Sequence, residues 1–326
     1  MVTAPIIFMS NDPKKSLGIG LAGFGTVGTG VWETFERNAE LISNRSDVQV
    51  DIVRIAVRDL SKARIDGVSG DKFTTNWQDV VDDADVDIVV ELIGGTDTAF
   101  DIVAAALRAG KPVVTGNKAL LAERGQELFE LSKQCDTPIH FEAAVAGGIP
   151  IIKTVQDSFV GNSIQSMVGI INGTSNYILE RMTDAGLGYE EALGEAQQLG
   201  YAEADPTLDV NGWDAAHKAI LLATLAYGFT VDPDDVYVRG IERVRGTDID
   251  FAKRLGFVVK LLCVVREHPE GVIEIRTQPS FIPQSHILSS VNGVFNAVAV
   301  RGDAAGDSLF YGRGAGKDPT ASSVVA

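Results

Sequence analysis

The first 140 residues alternate between short apolar runs and segments in which apolar positions have helical spacing. An apolar run at 18–22 ends in the glycine-rich segment 23–28, and a helical pattern follows to Ile42. A second apolar run at 50–57 completes a strand–helix–strand unit. The other predicted elements of this half are strands at 86–93, 112–115 and 138–141 and helices at 98–109 and 125–134. This alternation predicts an α/β fold with a parallel, doubly wound sheet.

The pattern changes after about residue 142, where small residues at 142–148 mark a domain boundary and a hinge. The predicted elements beyond it are strands at 164–171, 272–277 and 293–300 and helices at 175–185, 189–199, 213–227 and 251–266. This mixture is typical of an α+β domain. We therefore expect a first domain at 1–141 and a second domain at 142–309.

Composition narrows the class of protein. With 326 residues, 45% hydrophobic and 22% charged, the chain is long enough for two domains and is neither disordered nor fibrous. Its net charge of −16 argues against nucleic acid as a partner. Two cysteines form neither a disulfide framework nor a zinc site, which favours the reducing cytoplasm. No apolar stretch reaches the length of a membrane span, and the N-terminus lacks the basic region of a signal peptide.

The glycine pattern Gly23-x-Gly25-x-x-Gly28 is weak by itself, because structural turns also use glycine. Here it follows a predicted strand and opens a predicted helix, which is the context that a dinucleotide site requires. The glycines permit a tight turn and close approach of a pyrophosphate, whose charge is met by helix N-terminal amides, including those near Thr26 and Val27. We therefore expect nucleotide binding here rather than a purely structural turn.

The end of the second strand bears on the choice of cofactor. An NAD site usually places an acidic side chain there, whereas this chain has Arg58 followed by Asp59. Arg58 is suited to the 2′-phosphate of NADP, so NADP is favoured and NAD remains the alternative. Arg58 as a solvated surface charge is the structural alternative.

Two later strand ends point to the same crevice. Gly94 ends a predicted central strand, where the nicotinamide end of a cofactor would lie, and Lys118 follows the next strand. The alternatives are a plain glycine turn and a solvated lysine at a strand end.

A loop rich in carboxylates and amides, 200–212, precedes a helix that is apolar on all sides. Such a helix is typically buried. Asp214 and Lys218 are i,i+4 neighbours on it, and an exposed salt bridge is the ordinary interpretation of such a pair. Burial weakens that interpretation, because buried charges are costly and persist mainly at functional sites.

Together these motifs make the chain similar to the homoserine dehydrogenase family, from about residue 17 to the last residue. The similarity is carried, in order, by Gly23–Gly28, Gly116-Asn117-Lys118-Ala119, the segment Phe141–Pro150, Ile171-Asn172-Gly173-Thr174-Ser175-Asn176-Tyr177 and the loop and helix Gly200–Lys218.

The resemblance implies a Rossmann-type domain, a mixed α+β domain for substrate binding and dimerisation, and a return of residues 310–326 to the first domain. The implied activity is the reversible, NAD(P)H-dependent reduction of L-aspartate 4-semialdehyde to L-homoserine, in threonine, methionine and isoleucine biosynthesis. The implied assembly is a homodimer. We expect no C-terminal regulatory domain, and the sequence ends inside an apolar helix.

The resemblance also implies roles for individual residues. Lys218 is the implied proton donor and Lys118 a second catalytic candidate that also lies beside the cofactor; sequence does not decide which lysine delivers the proton, and we favour Lys218. The implied substrate ligands are Glu203, Asp214, Thr174 and Ser175, although Asn172-Gly173-Thr174 also fits a simple helix cap. The implied cofactor contacts are Gly23, Gly25, Thr26, Val27, Gly28, Arg58, Gly94, Lys118, Gly200 and Gly316. The implied sodium ligands are Glu142, Val145, Gly147 and Ile149, with a plain hinge as the alternative.

The residue types agree with this chemistry. Reduction of an aldehyde needs a proton or positive charge at the oxygen, which lysines supply, and the substrate ammonium needs anions. An acylating semialdehyde dehydrogenase would need a nucleophilic cysteine, and neither Cys135 nor Cys263 has a suitable setting. A nucleotide sensor with an inactive catalytic domain is the alternative from another class, and the presence of all four charged candidates argues against it.

Overall fold

The computed structural model describes residues 15–61 and 67–326, so the expectation about a signal peptide falls on residues outside this part of the chain. The chain divides into two compact units. The first contains the residues up to Ala143 together with Thr320–Ala326, and the second contains Ala144–Pro319.

The first unit is built on a parallel sheet that, in the described part of the chain, has six strands in the order β3-β2-β1-β4-β5-β6. The strands are β1 (Lys15–Ala22), β2 (Val48–Ala56), β3 (Phe73–Thr74), β4 (Ile88–Glu91), β5 (Val113–Thr115) and β6 (Ile139–His140). The helices are α1 (Thr26–Ser46), α2 (Gln78–Asp82), α3 (Asp97–Arg108) and α4 (Lys118–Cys135). The predicted doubly wound fold is confirmed. Its strand order reverses between β1 and β4, which is where ligands bind in such sheets.

A buried cluster holds this unit together and includes residues from the last segment of the chain. Leu21 of β1, Ile55 of β2 and Val31 of α1 are fully buried, and Ala321 and Val324 pack in the same cluster. The last two belong to helix α11 (Lys317–Val325). Burial of such aliphatic side chains contributes about 1.5–3 kcal/mol each for the larger ones.

The second unit contains a mixed sheet, six-stranded among the described residues, in the order β12-β11-β7-β9-β10-β8. Its strands are β7 (Ile164–Ile170), β8 (Tyr237–Val238), β9 (Phe257–Glu267), β10 (Ile273–Pro283), β11 (Phe295–Gly302) and β12 (Gly306–Arg313). Its further helices are α5 (Ile151–Lys153), α6 (Gly173–Asp184), α7 (Tyr189–Gln198), α8 (Thr207–Val210), α9 (Trp213–Tyr227) and α10 (Gly246–Arg254). The strands pair antiparallel, except that β8 runs parallel to β10.

The predicted helix at 251–266 is wrong. Helix α10 ends at Arg254, Gly256 adopts φ of +79°, and the chain continues as strand β9. Strand β9 lies between β7 and β10, and its residues 259–265 are all buried. A strand covered on both faces shows a similar apolar run to that of a buried helix; here Lys260 interrupts the run, and its valines favour the strand.

Helix α9 packs against β9 and β10. On β9, Cys263 points to this helix, with Sγ 3.2 Å from the carbonyl oxygen of Ala215. The neighbouring residues Leu262 and Val264 point to the opposite face of the sheet, as the alternation of a strand requires. Within the described ranges, no helix has both the length and the apolar character needed to cross a membrane.

Candidate active site

Glycine occupies the three positions Gly23, Gly25 and Gly28 after β1 for different structural reasons. A Cβ on Gly23 would lie 2.7 Å from the backbone of Leu92, and one on Gly28 would lie 2.3 Å from the carbonyl oxygen of Gly23. A Cβ on Gly25 would meet nothing within 4 Å, and Gly25 is the N-cap residue of α1. Tight packing therefore explains the first and third glycines, whereas the second leaves open space at a helix N-terminus. This arrangement fits the pyrophosphate of a dinucleotide.

The two charged residues after β2 differ in their surroundings. Arg58 is exposed two residues beyond the end of the strand. The carboxylate of Asp59 accepts hydrogen bonds from the hydroxyl of Ser61 at 2.7 Å and from its backbone N–H at 2.9 Å. These bonds, the hydroxyl first, lower the pKa of Asp59.

A buried carboxylate organises the turns after β4 and β5. Glu91 is fully buried and accepts hydrogen bonds from Thr115 Oγ1 at 2.6 Å and from Ile93 N at 2.9 Å. Burial raises the pKa of Glu91, and the hydrogen bonds oppose that shift. We assigned Glu91 no role from sequence, although a lone acidic residue at the end of an apolar strand is a usable signal.

Asn117 joins the same two turns directly. Its Nδ2 donates to the carbonyl oxygen of Gly95 at 2.7 Å, and its Oδ1 accepts from Leu120 N at 3.1 Å as the N-cap of α4. The first of these turns contains Gly94, with φ of +71°. The second leads directly into Lys118, which is the first residue of α4. The structure therefore holds both candidate residues at the carboxyl edge of the first sheet.

In the second unit, Asp214 and Lys218 form a buried ion pair on α9. Lys218 Nζ lies 2.7 Å from Asp214 Oδ2, and the two side chains are 10% and 6% exposed respectively. The same Nζ donates to the carbonyl oxygen of Ile171 at 2.7 Å. The pair is thus not the exposed salt bridge that i,i+4 spacing usually produces.

Asn172, just beyond the end of β7, contacts both of the acidic residues at this end of α9. Its Nδ2 donates to Asp214 Oδ2 at 2.8 Å and to Asp209 Oδ1 at 2.7 Å. From sequence we considered Asn172 only as a helix cap and gave Asp209 no role. Asparagine at a strand end signals the cap, whereas contacts across 37 and 42 residues have no local signature.

The other predicted substrate residues differ in their burial and in the groups that they contact. Ser175 is fully buried, and its hydroxyl donates to the carbonyl oxygen of Asp209 at 2.8 Å. Thr174 Oγ1 donates to the carbonyl oxygen of Tyr201 at 2.7 Å. Glu203 is exposed on the loop before α8. Thr174 and Ser175 therefore support this loop through its backbone, and Glu203 leaves its carboxylate open to solvent.

The remaining candidates are turn residues. Gly200 and Gly316 have φ of +74° and +122°, and a Cβ on Gly200 would meet nothing within 4 Å. Glu142 lies in a short 3-10 turn, and Ala146 and Gly147 are left-handed, with φ of +56° and +55°. No group of three or more histidine, cysteine or acidic side chains that could hold a metal occurs among residues 15–61 and 67–326. A cation at 142–149 would therefore depend mainly on backbone carbonyls, with Glu142 as the one acidic side chain of that segment.

A sheet of this strand order, opened by this glycine turn, together with a buried lysine–aspartate pair in the second unit, defines an NAD(P)-dependent oxidoreductase. The family model for the homoserine dehydrogenase NAD binding domain matches residues 23–142, and the model for homoserine dehydrogenase matches residues 150–326. The chain belongs to the homoserine dehydrogenase family.

Individual relatives agree with this assignment. Homoserine dehydrogenase of Pseudomonas aeruginosa is 45% identical over 312 residues, which cover 96% of this chain and 71% of the relative. The crystal structure of a homoserine dehydrogenase from Thiobacillus denitrificans has a TM-score of 0.91 at 47% identity and covers 95% of this chain and 72% of that one. A hyperthermophilic archaeal homoserine dehydrogenase in complex with NADPH has a TM-score of 0.80 at 28% identity, covering 95% of each chain.

The glycine turn yields a prediction with a matched pair of variants. Gly25→Ala adds a methyl group to the open space where the cofactor pyrophosphate would bind, so its melting temperature should stay near wild type while its affinity for a nicotinamide cofactor falls by about 10-fold or more. Gly28→Ala places the same methyl group against backbone, so it should lower the melting temperature itself. Thermal melts and fluorescence titration with NADPH measure both effects. Unchanged NADPH affinity in Gly25→Ala would contradict the assignment of this turn.

Proposed function

We propose that this chain reduces L-aspartate 4-semialdehyde to L-homoserine reversibly, with NADPH as the favoured cofactor. The observation that carries the proposal is the buried Asp214–Lys218 pair on α9, at 2.7 Å, in a member of the homoserine dehydrogenase family. A buried, hydrogen-bonded lysine next to the end of a strand is suited to meet negative charge that develops on a substrate oxygen.

The reaction needs a hydride, a proton and a means of orienting the substrate. The nicotinamide cofactor supplies the hydride to the aldehyde carbon when it is bound. Lys218 Nζ gives its proton to the aldehyde oxygen as that oxygen becomes an alkoxide, so the product is the neutral alcohol. Asp214 holds the ammonium group of Lys218 in place before the proton is transferred, because Asp214 Oδ2 accepts a hydrogen bond from Lys218 Nζ.

The anions of the second unit also account for substrate recognition. The amino-acid substrate carries an ammonium group, for which Asp214 and the exposed Glu203 are the proposed partners, with Thr174 and Ser175 shaping the loop around them. Lys118, in the first unit, is the second proposed catalytic cation and a proposed cofactor contact. Gly200 and Gly316 are further proposed cofactor contacts.

We also propose that sodium binds through the carbonyl groups of Val145, Gly147 and Ile149 with the Glu142 carboxylate, since the left-handed turn at 146–147 changes the direction of successive carbonyls.

The division of labour between domains follows the same proposal. The first domain binds the nicotinamide cofactor, and the second binds the substrate and forms the dimer. The two cysteines, of which Cys263 is buried and Cys135 half-buried, are free thiols, which supports a cytoplasmic setting.

Removal of either lysine tests the catalytic assignment. Lys218→Ala and Lys118→Ala should each lower kcat for semialdehyde reduction by about 100-fold or more, because the developing alkoxide loses its cation or proton donor. Lys218→Arg keeps a cation at the buried site but is a poor acid, so it should be folded and similarly slow. NADPH oxidation measures turnover, and fluorescence titration verifies cofactor binding.

The control for these variants is Lys253→Ala, which removes an exposed lysine from α10 and should leave kcat unchanged. Near-normal turnover in both Lys218→Ala and Lys118→Ala would exclude the proposed mechanism.

Cofactor preference depends on Arg58. This side chain is exposed beyond β2, whereas the neighbouring Asp59 carboxylate is engaged by Ser61, and a related archaeal enzyme was solved with NADPH. Arg58→Ala should raise KM for NADPH by about 10-fold or more and leave KM for NADH unchanged, because only NADPH carries the 2′-phosphate. The exposed Arg108, in the last turn of α3, provides the matched control Arg108→Ala. An unchanged preference in Arg58→Ala would show that Arg58 does not select the cofactor.

The proposed dimer is supported by the face of the second sheet opposite α9. A groove of about 810 Å³ lies there, and its lining combines apolar residues such as Val168, Leu262, Phe281, Ile287 and Leu309 with charged ones such as Arg276 and Asp307. Phe281 and Ile287 are 56% and 58% exposed. Exposed apolar surface of this kind is characteristic of a subunit interface.

A charge in the groove tests this interface. Phe281→Asp should convert a dimer into a monomer in light scattering, because a carboxylate would be buried between the subunits. Phe251→Asp changes an equally exposed phenylalanine on α10, outside the groove, and should leave the dimer intact. A monomeric wild-type protein, or an intact dimer in Phe281→Asp, would be inconsistent with the proposed interface.

A further inference from the structure

We propose that Asn172 is a positioning residue of the active site, which acts by donating both hydrogens of its side-chain amide to the carboxylates of Asp209 and Asp214. It thereby fixes the acceptor that holds Lys218. The inference rests on the proposed function for the reaction it serves, but the contacts that carry it lie wholly within the second unit.

The geometry places Asn172 where three helices meet the end of one strand. It follows β7 by two residues, begins α6 as its N-cap, and contacts Asp209 of α8 and Asp214 of α9. Only 4% of the residue is exposed, so water does not replace these bonds. The residue before it, Ile171, accepts from Lys218 Nζ. Two consecutive residues at this strand end therefore hold both members of the ion pair.

The amide has two separable roles. Its oxygen accepts from Ser175 N at 2.7 Å, which is the capping bond that any good N-cap side chain makes. Its nitrogen supplies the two donors at 2.7 and 2.8 Å. Aspartate and serine also cap helices well, but aspartate has no donor when ionised and serine has one. Substitution can therefore remove the donors while keeping the cap.

Electrostatics explain why donors are needed here. The carboxylates of Asp209 and Asp214 both accept hydrogen bonds from the neutral amide of Asn172. Asp214 Oδ2 also accepts a hydrogen bond from Lys218 Nζ. Two carboxylates that contact the same amide nitrogen repel each other, and the hydrogens that this amide donates offset part of that repulsion. On β9, Cys263 is near enough to sense the charges of Asp214 and Lys218, but burial raises the pKa of its thiol to about 12, so it stays neutral at ordinary pH.

Asn172→Asp is the sharpest test, because it has nearly the same shape and keeps the acceptor for Ser175 N. It replaces the donor with a third carboxylate in a buried cluster. We expect kcat/KM for the semialdehyde to fall on the order of 100-fold at about pH 8.5. The loss should shrink at about pH 6, because the introduced carboxyl group, once protonated, donates one hydrogen bond.

Thermal melting provides a readout that does not depend on activity. Burial and like charges raise the pKa of the introduced carboxyl group in the folded state above its unfolded value. The variant is therefore destabilised above that folded pKa and recovers as pH falls through it, so its melting temperature should approach wild type on acidification. Any aspartate buried here would make melting pH-dependent, so the readout that a helix cap alone would not move is kcat/KM, which would then match wild type at both pH values.

Two further variants complete the experiment. Asn162→Asp is the matched control, since the Asn162 Oδ1 accepts from Ala304 N and Ala305 N, and the substitution keeps both bonds. It should show wild-type activity and melting at both pH values. Asn172→Ser keeps the cap and one donor, so kcat/KM should fall about 10-fold with little change in melting temperature. It decides the question if Asn172→Asp fails to fold.

The outcomes distinguish this inference from the proposed function. If the wild-type enzyme reduces the semialdehyde but Asn172→Asp matches it in kcat/KM at both pH values, Asn172 is a cap alone and the inference is overturned. Wild-type behaviour of Asn172→Ser overturns it in the same way. If the wild-type enzyme lacks the activity, the proposed function fails, and the melting of Asn172→Asp still shows whether the donors of Asn172 stabilise the buried carboxylates of Asp209 and Asp214.

Discussion

Asp214 and Lys218 are opposite charges buried in the second unit, and each needs protein partners because little water reaches it. Lys218 Nζ finds Asp214 Oδ2 and the carbonyl oxygen of Ile171, and Asp214 Oδ2 also accepts from Asn172. Loss of one member of such a pair costs about 3–5 kcal/mol, because the other charge is left uncompensated. The end of β7, the cap of α6 and the first turns of α9 are thus mutually constrained by one ion pair. In the proposed function, that same pair delivers the proton.

The first unit also contains a buried charged group, the carboxylate of Glu91. Glu91 is buried at the end of β4, and its carboxylate is satisfied by Thr115 Oγ1 and Ile93 N rather than by a cation. Asn117 then connects the turn after β5 to Gly95. In both units, a buried acidic group and an asparagine that caps a helix hold the loops at the carboxyl end of a strand. Rigid support of this kind is what a catalytic site requires of its surroundings.

The sequence was most informative where the spacing of apolar residues within a short segment determines whether that segment forms a strand or a helix. The alternation of apolar runs and helical patterns predicted the parallel sheet, and the apolar surroundings of Asp214 and Lys218 predicted that their helix is buried. The same reasoning misassigned 251–266, because a strand buried on both faces and a buried helix share a similar apolar pattern. It also missed the roles of Glu91, Asn172 and Asp209. The hydrogen bonds that join Asn172 to Asp209 and Asp214 connect residues 37 and 42 positions apart along the chain, so no local spacing reveals them, whereas Glu91 has the local signal of a lone acidic residue at a strand end.

The central claim is that Lys218 acts on the reacting oxygen while Asp214 holds it. The most direct measurement is a crystal structure of the chain with L-homoserine and NADP⁺ bound. We expect Lys218 Nζ to lie within hydrogen-bond distance, about 3 Å, of the homoserine hydroxyl oxygen while Lys218 remains paired with Asp214. A homoserine hydroxyl bound elsewhere, with Lys218 contacting only Asp214 and Ile171, would contradict it.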